Sequence, residues 1–188
     1  TDRAISWSGN GGMLLFAALS RGRDALYLTD AFTGRILEII SPPMSSMRDP
    51  FLSRDGRFVL FSGANGGFSD IYLYDRETRR LRRLTDDAFS DRHPVISPDG
   101  GTVIFSSNRN AKKDPYRRNH DIYVMNSDSR QTRPLTDGIG DSLPADISHD
   151  GSRILYISNR SGVYNIYSCP LAGGASRRLT DAAAGAFI

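Results

Sequence analysis

The sequence predicts an all-β fold built from four copies of a small four-stranded antiparallel sheet. Three observations predict it: a repeat of 44 or 45 residues, short β-rich runs bounded by Gly, Pro, Asp and Ser, and no sustained 3.6-residue apolar period. Two ladders carry the repeat. Tyr27, Tyr72, Tyr123 and Tyr167 are separated by 45, 51 and 44 residues. Phe16, Phe61, Phe105 and Tyr156 are separated by 45, 44 and 51. One register satisfies both once seven extra residues are placed between Phe105 and Tyr123.

Each repeat reads as four strands. The first runs into a Ser-x-Asp-Gly turn, at Ser53 to Gly56, Ser97 to Gly100 and Ser148 to Gly151. Its glycine supplies the positive φ that a tight reversal needs. In the first repeat Ser8-Gly9-Asn10-Gly11 takes this place. The second strand is a run such as Val103-Ile104-Phe105, and the third is of the Asp121-Ile122-Tyr123-Val124 type. The fourth ends in Leu84-Thr85, Leu135-Thr136 or Leu179-Thr180, with Ile40-Ser41 in the first repeat. The repeats span approximately 1–45, 46–89, 90–140 and 141–185 of one domain, 1–188. A single sheet of this size cannot hide both faces. Stacking copies radially buries each against its neighbour, which makes the units blades of a β-propeller.

Composition agrees with a folded domain: 39% of the 188 residues are hydrophobic and 24% charged. No apolar run is long enough for a membrane-spanning helix, so no membrane insertion is expected. One cysteine, Cys169, excludes an intrachain disulfide and a Cys-based zinc site, and reads as an inert small side chain. The net charge of +3, with 21 acidic residues against 24 basic ones, argues against a nucleic-acid partner.

Ser97-Pro98-Asp99-Gly100, the strand ending Phe105-Ser106-Ser107-Asn108-Arg109, then Asp121-Ile122-Tyr123-Val124-Met125 and Leu135-Thr136-Asp137 resemble the TolB-like propeller repeat. Residues 50–86 and 144–181 match it well, with Arg54 and His149 in place of the proline. The first repeat departs most. The resemblance implies a ring of more than four blades. The chain is therefore expected to be a partial propeller or a piece of a longer protein, with the outer faces of its end blades uncovered and open to self-association. It also implies a periplasmic or extracellular, non-catalytic scaffold that binds a protein partner. The alternative is the gating propeller of a prolyl-oligopeptidase-like serine peptidase whose catalytic domain lies outside this segment, or a sugar-acid lyase.

No local motif announces catalysis, and no cofactor or metal is expected. Asp55, Asp99 and Asp150 recur at one turn position and read as caps for their own turn. Trp7 occupies the position of Leu52, Ile96 and Ile147 and reads as core or channel packing. The functional candidate is what breaks the repeat. Residues 110–120 carry the seven-residue insertion with Lys112, Lys113, Tyr116, Arg117, Arg118 and His120. Strands alternate direction, so this loop emerges on the side of the connections between repeats, where Arg92 and His93 lie. Together these eight residues form the expected partner-binding surface; the competing reading is a solvated loop. A metal held by His93 and His120, both expected in connections, is a minor alternative. A second basic group, Arg76, Arg79, Arg80, Arg82 and Arg83, falls on an outer edge, where charge blunts strand pairing.

Overall fold

The Ser-x-Asp/Asn-Gly tetrads close the same turn in all four repeats of the computed structural model, which describes residues 5–20, 22–112 and 119–183. The Ser53 hydroxyl donates to Asp55 Oδ1 at 2.5 Å and accepts from the Phe58 amide at 2.8 Å. Asp55 Oδ1 also accepts from the Arg57 amide, and the Gly56 amide donates to the Ser53 carbonyl. Ser97 with Asp99 and Ser148 with Asp150 repeat the pattern. Ser8 with Asn10 does so too. The recurring aspartates are therefore turn caps. Gly9, where other repeats carry a longer side chain, donates its amide to the Arg54 carbonyl at 2.8 Å; a Cβ there would lie 2.8 Å from that oxygen.

Strands between these turns form four antiparallel sheets of four consecutive strands. Blade 1 has β1 Ile5–Trp7, β2 Met13–Ser20, β3 Arg23–Asp30 and β4 Ile36–Ile40. Blade 2 has β5 Ser46–Leu52, β6 Phe58–Ala64, β7 Ser69–Asp75 and β8 Arg80–Arg83. Blade 3 has β9 Asp91–Ile96, β10 Thr102–Ser107, β11 Asp121–Asn126 and β12 Thr132–Pro134. Blade 4 has β13 Ser142–Ile147, β14 Arg153–Ser158, β15 Asn165–Pro170 and β16 Arg177–Arg178. Among the described residues the one helical segment is a single 3₁₀ turn, Arg109–Lys112, and none is long and apolar enough to cross a membrane. This is the all-β blade architecture that the repeat predicts.

The two sequence ladders are one structural feature. Phe16 pairs with Tyr27, Phe61 with Tyr72, Phe105 with Tyr123 and Tyr156 with Tyr167 as direct cross-strand neighbours. In every blade the two rings stack, with centroids 5.4–6.0 Å apart. Such pairs are a main stabilising unit of antiparallel sheets.

The chain divides into two compact units, Thr1–Ile96 and Ser97–Ile188. In the first, one face of blade 1 (Leu15, Leu26, Leu28 and Ile40) shares a core with Met47, Leu52, Val59, Phe61 and Tyr72 of blade 2. At the rim, Glu38 of β4 accepts from Tyr74 Oη at 2.9 Å and Arg76 Nε at 2.8 Å, tying the two blades together. In the second unit, β10 and β11 pack against β13. Trp7 departs from expectation. Leu52, Ile96 and Ile147 are buried, but Trp7 is 57% exposed. It lies on the face of blade 1 turned away from blade 2, and no described residue covers it.

Candidate functional site

The rim is built from a buried polar position at the start of the third strand in blades 2, 3 and 4. Asp70, Asp121 and Asn165 precede the ladder tyrosines by two residues and are all buried. Each accepts from the threonine of its blade's Leu-Thr pair: Asp70 from Thr85, Asp121 from Thr136 and Asn165 from Thr180. The same hydroxyls accept the amides of Ile71, Ile122 and Ile166, each at 2.9 Å. This clamp ends the fourth strand and aims the chain toward the next blade. Asp70 is also held by Arg83. Burial lifts the Asp70 carboxyl above its ordinary value, and the guanidinium offsets only part of that rise.

In blade 3 the clamp organises both loops of the rim. Asp121 accepts from Asn110 Nδ2 at 2.5 Å, at the near end of the inserted segment, and from the Gly138 amide at 2.8 Å, in the connection to blade 4. At the far end of the insertion, the His120 amide donates to Asp141 Oδ1 at 2.7 Å, and His120 Nδ1 lies 3.2 Å from the same oxygen. The Ser142 amide returns a bond to the His120 carbonyl. Tyr164 Oη donates to Asp141 Oδ2 at 3.1 Å. Burial pushes the Asp141 carboxyl up, but its bonds from His120 and Tyr164 more than offset this and hold it below the ordinary value. Burial beside that carboxylate raises the Tyr164 hydroxyl.

The Asn-Arg pair that closes the second strand has a role of its own. Asn159 Oδ1 accepts the Asp141 amide at 2.7 Å. Arg160 lies over the Tyr167 ring, donates to Tyr156 Oη and pairs with Asp137. Arg109 lies over both Phe105 and Tyr123, 5.2 and 4.9 Å from their centroids. Gly140 has φ +74°, and a Cβ there would lie 2.6 Å from both the Arg160 amide and Asn159 Oδ1, so the connection fits only with glycine. These contacts tie the second-strand end of blades 3 and 4 to the connection between them.

The eight sequence candidates divide as follows. His120 sits on this rim. Lys113, Tyr116, Arg117 and Arg118 lie outside the described residues, as does the side chain of Lys112. Arg92 and His93 belong to the first unit, within strand β9 and not in a connection. His93 is held there by Asp49: its amide donates to Asp49 Oδ2 at 3.3 Å, and its Nε2 lies 3.8 Å from Asp49 Oδ1. Asp49 and His93 each precede a proline and have φ of +51° and +52°, a conformation that the following proline ring disfavours. Among the described residues no group of three or more His, Cys, Asp or Glu could hold a metal ion. Cys169 is buried, which raises its thiol and keeps it protonated. Two members of the outer basic group are held in ion pairs: Arg76 with Glu38, and Arg83 with Asp70 and Asp86.

Residues 3–163 match the family described as the dipeptidyl peptidase IV (DPP IV) N-terminal region. Over 118 residues the chain is 26% identical to the Tol-Pal system protein TolB of Francisella tularensis, covering 63% of this chain and 26% of that protein. The chain thus spans about a quarter of the length of such relatives. The structure of a putative TolB from Agrobacterium tumefaciens superposes on 97% of this chain and 63% of its own, with TM-score 0.78 and 28% identity. TolB from Acinetobacter baumannii covers 94% of this chain and 43% of its own, with TM-score 0.75 and 25% identity.

Proposed function

Because the chain belongs to the dipeptidyl peptidase IV N-terminal-region family and is a TolB-like propeller domain, we propose that it is a protein-binding scaffold of the bacterial cell envelope, working in the periplasm. The observation that carries this reading is the contrast at the rim of blade 3. Asp121 and Asp141 pin both ends of the segment that carries the seven-residue insertion. A repeat is kept where structure needs it, and recognition belongs to the loop that leaves it. That loop holds Lys112, Lys113, Tyr116, Arg117 and Arg118 between Asn110 and His120. An aromatic among long cations suits a partner surface rich in carboxylates.

The test compares the chain with a variant carrying Lys113→Ala, Tyr116→Ala, Arg117→Ala and Arg118→Ala. Periplasmic proteins crosslinked to each are identified, and the best candidate is purified and titrated calorimetrically. The expected result is a partner bound by the parent chain and lost by the variant, at unchanged circular dichroism and with binding weakened by added salt. Equal binding by both would overturn the reading.

A further inference from the structure

Two departures from the repeat meet between blades 1 and 2. Four residues after the second-strand ladder aromatic, blades 3 and 4 carry Arg109 and Arg160, but blade 2 carries Asn65. Arg160 reaches Asp137 across its rim, and Arg109 covers Phe105 and Tyr123. Asn65 is too short for either role. Two residues before it, Gly63 replaces Ser107 and Ser158, and a Cβ there would lie 2.7 Å from Met44 Sδ. The second departure is in blade 1. Three residues before the ladder tyrosine it has Asp24, where blades 2 to 4 have Ser69, His120 and Tyr164.

Together these changes leave an open cavity of about 520 Å³, a size that suits a small molecule. Leu19, Arg23 and Asp24 of blade 1 line it, with Met44 and Ser45 of the connection and Asn65 of blade 2. Leu19 and Asp24 are cross-strand neighbours on the face that also carries Leu15 and Leu28, the face that blade 2 covers. The cavity is therefore enclosed by two consecutive blades and the connection that joins them.

Its polar groups are only partly used. Asp24 Oδ2 accepts the Met47 amide at 3.0 Å, and Oδ1 has no partner among the described residues. Asn65 Oδ1 accepts the Ser45 amide at 3.1 Å, and Nδ2 has none. The Arg23 guanidinium makes no ion pair, even with Asp24 beside it. A simple anion would meet the Asp24 carboxylate, and a simple cation would meet Arg23. A molecule carrying both charges satisfies both groups.

We propose that this cavity binds an α-amino acid with an aliphatic side chain. Its carboxylate lies on Arg23 and Asn65 Nδ2, its ammonium on Asp24 Oδ1, and its side chain against Leu19 and Met44. Such charge-assisted bonds are the strong ones available at a wet rim. The site shares no residue with the blade 3 loop, so it stands or falls apart from the partner-binding reading.

The test titrates alanine, valine, leucine and methionine into the isotopically labelled full chain and follows its amide NMR signals. At least one is expected to give saturable shifts centred on Ser45, Met47 and Asn65. The N-acetyl and the amide derivatives of the tightest binder each lack one charge and should bind about tenfold more weakly or worse. Asp24→Asn, which keeps an acceptor for the Met47 amide, and Arg23→Gln should each cause a similar loss. Asn65→Arg installs the residue of blades 3 and 4 and should abolish binding at unchanged circular dichroism. No saturable shift with any of the four, undiminished binding of both derivatives, or parent-like binding by Asn65→Arg would each overturn the proposal. Should Asn65→Arg unfold, the exposed Arg23→Gln decides: an unchanged affinity overturns it.

Discussion

Phe61–Tyr72 and Phe16–Tyr27 are the same construction in two surroundings. Both pairs are direct cross-strand neighbours, with ring centroids 5.4 and 5.7 Å apart and interplanar angles of 10° and 11°. Phe61 and Tyr72 are buried under blade 1, whereas Phe16 and Tyr27 are only half-buried. Burial therefore does not set the geometry of the pair; strand register does. Cover from a neighbouring blade adds stability to a sheet that is already shaped. The two blades also differ at the rim. Blade 2 has the Asp70–Thr85 clamp, whereas blade 1 has Ala25 and Ser41 at those positions and uses Asp24 to accept the Met47 amide at 3.0 Å.

Truncating the two phenylalanines tests this separation most strongly. Phe61→Ala leaves a cavity in a packed core and should cost about 3–5 kcal/mol in urea unfolding. Phe16→Ala removes less buried area and should cost about 1–2 kcal/mol at protein concentrations too low for association. Equal losses would mean that blade 1's outer face is covered in the monomer.

The clamp gives the next effect. Thr136→Val keeps the shape but leaves the Ile122 amide and an Asp121 oxygen without a hydroxyl partner, at a cost of about 1–3 kcal/mol. Asp121→Asn should cost less, because Asn165 fills the same position in blade 4. If Thr136→Val is as mild as Asp121→Asn, the clamp is not what fixes the rim.

These residues also show what could be read from the sequence. The ladder aromatics and Ser-x-Asp-Gly turns were legible because their partners lie within one repeat at fixed spacing. The clamp was equally available: Asp or Asn before Ile-Tyr occurs with Leu-Thr in repeats two to four, and both are missing from the first. It escapes notice because the two halves sit 15 residues apart, on strands joined by a hairpin. Trp7 was misplaced for another reason. Repeat position assigns a side chain to a face, but not whether anything covers that face. His93 reads as part of a connection between repeats, yet β9 runs through it in a left-handed conformation.

Glu38 is what blade 1 contributes to the rim of its covered side. Replacing it with alanine leaves Tyr74 and Arg76 without their shared carboxylate, in sites that are partly shielded from water. A loss of about 1 kcal/mol is expected. Glu38→Gln should recover part of it, since an amide oxygen still accepts one of the two bonds. No loss in thermal unfolding would show that the shared apolar core alone holds the two blades together.

The smallest effect concerns acid, and it again sets blade 2 against blade 1. Asp75 and Asp30 occupy the same position at the end of the third strand. Both are held below the ordinary carboxylate value. Asp30 is lowered by the backbone and hydroxyl of Thr33, whereas Asp75 is lowered to about 2, chiefly by its hydrogen bonds from Arg57. A carboxyl depressed on folding stabilises the protein above its unfolded value and loses that contribution as pH falls toward its folded one. For Asp75 the window runs from 3.8 down to about 2. Carboxyl titration by NMR should give Asp75 a midpoint near 2 in the parent chain, moved back toward 3.8 by Arg57→Gln. Asp75→Asn should flatten the fall in stability across that window. Arg57 is more than a third exposed, so salt screens the pair and the gain in slope stays small. A parent midpoint near 3.8 would show that Arg57 does not hold Asp75 in solution.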